Sequence, residues 1–111
     1  MRVAVTLEQC WHRVPGGTAR ATLDAVAAVQ ARGGVEQVGV SAWHRHPAPP
    51  AWQPPVAVRS LPLPRLALYD SWQRLRHPVV ERATGPVDLV HSTAHVAAAS
   101  RAPMVATVHD L

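Results

Sequence analysis

The first 41 residues spell one strand, a glycine-bearing loop, a helix and a second strand, an order that leaves few folds open. Residues 2–7 (RVAVTL) are short, apolar and β-branched and run into a polar loop, as a central parallel strand does. The loop EQCWHRVPGG closes on Pro15, Gly16 and Gly17, and Thr18 is placed to cap a helix reaching Arg32. Ala19, Leu23, Val26 and Ala27 share one face of that helix, with Gly33 and Gly34 behind it as a terminator. Residues 35–41 (VEQVGVS) resume the strand pattern. Such a unit makes a right-handed crossover into a parallel neighbour. The expected fold is therefore α/β: a Rossmann-like, open, mostly parallel sheet with helices on both faces.

Seven of the eleven prolines fall in residues 44–64, HRHPAPPAWQPPVAVRSLPLP, a stretch that cannot be helical and reads as extended chain. Within it residues 56–61 (VAVRSL) alternate enough to form a third strand near a sheet edge. From Leu66 onward, Leu68, Trp72, Leu75 and Val79 recur at helical spacing, and Pro78 is expected to kink this helix or start another. Gly85 and Pro86 end the segment. Residues 88–91 read as a fourth strand, 93–100 as a short helix and 104–109 as a fifth strand, which delivers His109 and Asp110 to its carboxyl end. Because the chain stops as that end is reached, it reads as one domain left unfinished.

Composition narrows the partners. All eleven basic residues are Arg, and Lys, Ile, Asn and Phe do not occur, a usage expected of a GC-rich genome. The pI near 11.0 follows from the lack of Lys and the single Tyr, since the net charge is only +4. The Arg residues are scattered, with Arg74 and Arg76 the closest pair, which argues against a nucleic-acid partner. A modest attraction to anionic substrates or lipid headgroups is compatible with this charge, as is peripheral contact with the inner membrane face. Cys10 is the lone cysteine, so there is no internal disulfide and no zinc-type pair, and a cytoplasmic setting is favoured. Glu8 interrupts the amino-terminal apolar run before a signal-peptide core can form, and no stretch approaches a membrane span.

Several residues could carry chemistry. Gly16 and Gly17, placed after the first strand and before a helix, allow a backbone to approach phosphates or sugar hydroxyls closely, and they equally suit an ordinary helix start. His44 with His46, and His91 with His95, could be read as metal-ligand pairs, but neither has further ligands at zinc-motif spacing, and no metal or other cofactor is expected. Trp72 sits on an apolar helical stripe and belongs to the core. Trp11, Trp43 and Trp52 lie in loops, where an indole can pack the loop or stack on a sugar. Cys10 and His12 have no identifiable orienting group, which disfavours hydrolase chemistry. His109, beside Asp110 at a strand end, is either a site residue or a histidine bonded to backbone.

Two segments, PGGTARATLDAV after the first strand and DLVHSTAHVAAASRAPMVATVHDL at the end, resemble the amino-terminal domain of family-4 glycosyltransferases. The likeness covers essentially all 111 residues and is most specific in the second segment, the proline-rich middle being less diagnostic. It implies a two-domain GT-B enzyme that moves a sugar from a nucleoside-diphosphate sugar donor to an acceptor, not identified, with retention and without a metal. This chain would be the acceptor-side Rossmann-like domain. By position Gly16 and Gly17 match the glycine loop that nears the donor diphosphate and the acceptor. His109 matches the histidine that contacts the donor sugar, as a catalytic residue, and Asp110 follows it as a brace for the turn. The paired glutamates that hold the donor belong to the carboxyl-terminal domain, which lies outside this chain, so the isolated chain is expected to be inactive. The other readings are a non-catalytic Rossmann-like ligand-binding module, or a fragment that pairs with a separate partner chain.

Overall fold

The computed structural model describes residues 1–11, 16–93 and 96–106, with the backbone alone for 16–18. Strands β1 (Arg2–Thr6), β2 (Glu36–Ser41), β3 (Val58–Ser60), β4 (Leu89–Ser92) and β5 (Met104–Ala106) form one open sheet in the order β3-β2-β1-β4-β5. Every pairing in it is parallel. Helix α1 (Gly16–Arg32) links β1 to β2, while α2 (Arg65–Arg74) and α3 (Glu81–Thr84) lie between β3 and β4. This is the expected Rossmann-like arrangement, and the sheet is wholly parallel rather than mostly so. Among the described residues no helix is long and apolar enough to cross a membrane.

The period-2 alternation of strands divides the core between the two faces. Val3, Val5 and Leu7 turn toward Leu23 and Val26 of α1, together with Ala48, Trp52, Val56 and Val58 from the β2–β3 region. Ala4, Val38, Val40 and Val90 turn the other way, onto Leu68, Tyr69 and Trp72 of α2 and onto Val80. Apart from β3, the proline-rich stretch is irregular chain with bends and one 3-10 turn at Pro50–Trp52, whose Trp52 packs on the α1 face. The Arg20 guanidinium of α1 sits 5.0 Å above the Trp52 ring and ties this strap to the helix.

Gly39 of β2 sets the spacing on that face. A Cβ built there would stand 2.7 Å from Leu7 Cδ1 and 2.9 Å from Val58 Cγ2, both closer than real Cβ contacts allow. Gly39→Ala is therefore expected to destabilise the fold by about 2 kcal/mol through overpacking. Urea unfolding measures this, and an unchanged midpoint would show that Leu7 and Val58 yield without cost.

Four expectations are corrected. Helix α1 begins at Gly16, so the two glycines are its first residues and not a loop ahead of a Thr18 cap. Its buried face is Ala19, Thr22, Leu23 and Val26, whereas Ala27 is exposed. Helix α2 stops at Arg74, leaving Leu75 68% exposed at its cap and Val79 beyond it, packed against the core. Arg76 takes a left-handed φ of 54°, a conformation costing on the order of 1 kcal/mol in a non-glycine residue. Its guanidinium offsets that cost by donating to the carbonyls of Trp72, Ala97 and Ala98. Finally, residues 96–100 are not helical. Their polar backbone groups are engaged elsewhere: the Ala97 and Ala98 carbonyls accept from Arg76, the Ala99 carbonyl from Val80 N, and Ala98 N donates to Ser92 Oγ. Val96, Ala98 and Ala99 are thereby held in the core beside Trp72.

Candidate functional site

The strand order reverses between β1 and β4, which leave the chain's path on opposite sides, and in open α/β sheets ligands are handled at the carboxyl ends of such strands. Four buried polar residues meet there: Thr6 ends β1, Gln9 lies in the 3-10 turn Glu8–Trp11, Thr22 lies on α1, and Thr93 follows β4. Thr93 N donates to Thr6 Oγ1 (2.8 Å), and the Thr93 hydroxyl donates to the Thr6 carbonyl. Because that hydroxyl proton is committed, Thr6 is the donor in the 3.2 Å contact between the two hydroxyls. Gln9 Nε2 donates to Thr93 Oγ1 (2.8 Å) and to Thr22 Oγ1 (3.1 Å). Gln9 Oε1 is buried and accepts from no described residue. Such an orphan carbonyl costs about 1–3 kcal/mol.

Gly16 and Gly17 open α1 on the chain that leaves this corner, and no acidic residue stands in the first turn to neutralise the positive end of the helix dipole. His109 and Asp110 come three and four residues after Ala106, the last described residue of β5, and both lie outside the described residues, as does His95.

A second polar cluster adjoins the first. Glu8 starts the 3-10 turn, and its side chain is only 3% exposed. One oxygen, Oε1, accepts from Ala42 N (2.9 Å) and His44 Nε2 (2.7 Å); the other, Oε2, accepts from Arg65 Nε (2.6 Å) and again from His44 Nε2 (2.9 Å). The carboxylate thus joins β1, the segment after β2 and the first turn of α2. The His44 ring stacks on Trp11 with centroids 4.7 Å apart and planes 4° from parallel, and Trp11 Nε1 donates to the His46 carbonyl (2.9 Å). Burial, and then the Glu8 charge, raise the Cys10 thiol to about 11 and the Tyr69 phenol to about 12. Cys10 is accordingly a protonated core thiol with no nucleophilic character at neutral pH.

The residues singled out in the sequence separate here. His44 binds Glu8 rather than pairing with His46, and Trp11 supplies the stacking surface expected of a loop indole, with His44 as its neighbour. Trp72 is in the core, its Nε1 donating to the Pro78 carbonyl (2.8 Å). Trp43 is 52% exposed. His91 points to the α1 face of β4, where burial lowers its pKa and favours the neutral ring. Glu8, Gln9, Arg65 and the threonines were not anticipated. The one sequence signal for them is an acid followed by an amide directly after a buried strand. No protein-family profile, no curated protein and no solved structure matches this chain.

Proposed function

We propose that this chain is the acceptor-side domain of a retaining glycosyltransferase that takes a sugar from a nucleoside-diphosphate donor, the donor site being completed by a second α/β domain. The observation that carries the reading is the glycine pair at the start of α1, next to the point where strand order reverses. Two residues without side chains let the backbone approach a diphosphate at the positive end of a 17-residue helix. The closing motifs DLVHST and APMVATVHDL, which resemble those of family-4 enzymes, support the same reading.

In the reaction, the bond between the anomeric carbon and the diphosphate oxygen breaks while the acceptor oxygen bonds to the same face of the sugar. The acceptor proton passes to the departing phosphate. Gly16 and Gly17 give the diphosphate room, His109 holds the donor sugar, and Asp110 braces the turn that carries His109. Transfer needs two substrates positioned across a closed cleft, so both domains are required.

Replacing Gly16 and Gly17 together by Val tests this. In the two-domain enzyme the branched side chains would fill the space needed by the diphosphate, and the transfer rate is expected to fall on the order of 10²-fold with little change in melting temperature. Near-normal transfer would show that the pair is only a helix start.

A further inference from the structure

A cavity of about 360 Å³ opens beside the carboxyl ends of β2 and β3, apart from the β1–β4 corner. Its wall includes Trp11, His44, Arg45, His46, Gln53 and Ser60. We propose that this cavity binds a phosphorylated sugar. Binding here does not depend on the chain taking part in glycosyl transfer.

Charge is the first ground. Among the described residues, the lining holds one Arg and two His and no acidic side chain. The Glu8 carboxylate, which bonds the His44 ring of that wall, is already held by Arg65, His44 and the Ala42 amide. Arg45 and His46 are exposed, and their side chains bond to no described residue, so both remain free to meet a phosphate. The second ground is rigidity. His44 is fixed on one edge by two contacts to Glu8 and on one face by Trp11, which makes a wall that loses little freedom when a ligand arrives. An aromatic wall of this kind packs against the C–H face of a sugar ring.

Hydrogen bonding is the third. His44 commits Nε2 to Glu8, and no described residue bonds to its Nδ1, which leaves that ring nitrogen for a ligand hydroxyl. Gln53 commits its Nε2 to the Ala48 carbonyl (3.1 Å), which leaves Oε1 as an acceptor, and Ser60 adds a hydroxyl. These groups suit a ligand with several hydroxyls more than the broad apolar slot a nucleobase needs. The volume lies at the lower end of the roughly 300–1,000 Å³ typical of small-molecule sites, in keeping with a monosaccharide.

Calorimetric titration of the chain with glucose 6-phosphate, inorganic phosphate, glucose and adenosine monophosphate in separate arms tests the assignment. Saturable binding of glucose 6-phosphate, at least about tenfold tighter than each of the other three, is expected. The double variant Arg45→Glu, His46→Glu changes only exposed side chains, keeps the thermal transition, and should weaken that binding by more than about tenfold. Trp11→Ala should weaken it as well, with inorganic phosphate unaffected. No saturable heat with glucose 6-phosphate, equal affinity for phosphate alone, tighter binding of adenosine monophosphate, or binding that survives the charge reversal would each overturn the proposal.

Discussion

Glu8→Ala is expected to cost about 3 kcal/mol of folding stability, the lower end of what removing one partner from a buried ion pair costs. The lower end applies because Arg65 and His44 keep 32% and 19% of their side chains exposed and can partly rehydrate. The Ala42 amide, which is buried, cannot. Against a typical domain stability of about 5–15 kcal/mol the loss is large. Glu8→Gln, which keeps an acceptor for Ala42 N, should fall between wild type and Glu8→Ala. Urea unfolding gives the energies, and spectroscopic titration of Tyr69 gives an independent readout, since the Glu8 charge is one cause of its raised pKa. Losing that charge should move the Tyr69 titration downward. A Glu8→Ala protein with unchanged unfolding would mean the cluster does not fasten β1, the segment after β2 and α2 together.

If the proposed glycosyl transfer holds, His109→Ala should lower the transfer rate of the two-domain enzyme on the order of 10²-fold, through lost alignment of the donor sugar and lost transition-state stabilisation. In the proposed reaction the departing phosphate takes the acceptor proton, so the rate should not acquire or lose a histidine-like pH dependence with the substitution. Melting temperature should stay close to that of the wild type. Steady-state transfer measured beside thermal unfolding separates the outcomes: equal rates, or a rate loss matched by gross unfolding, would make His109 a structural strand-end residue.

The fold was legible where local patterns and tertiary packing agree. Short β-branched runs marked β1, β2 and β3, and Gly33 and Gly34, with φ of 77° and 83°, ended α1 as a left-handed stop requires. The prolines kept the β2–β3 connection free of α-helix. Residues 96–100 misled because alanine-rich sequence has high helix propensity, yet Arg76 and Val80, far back in the chain, claim the carbonyls a helix would use. The polar clusters were hidden for a related reason. His44 and Arg65 stand 36 and 57 positions from Glu8, and Thr93 stands 84 from Gln9, so only the parallel sheet brings them together. In the sequence Glu8 reads as a polar break in an apolar run. In the fold it is a buried anchor.

The anomeric configuration of the product tests the glycosyl-transfer reading as a whole. The two-domain enzyme is incubated with nucleoside-diphosphate sugars and a panel of acceptors, and the new glycosidic linkage is assigned by its proton NMR coupling. Transfer with the configuration of the donor kept, dependent on Gly16, Gly17 and His109, is expected. An inverted linkage, or ligand binding with no transfer to any acceptor, would contradict it.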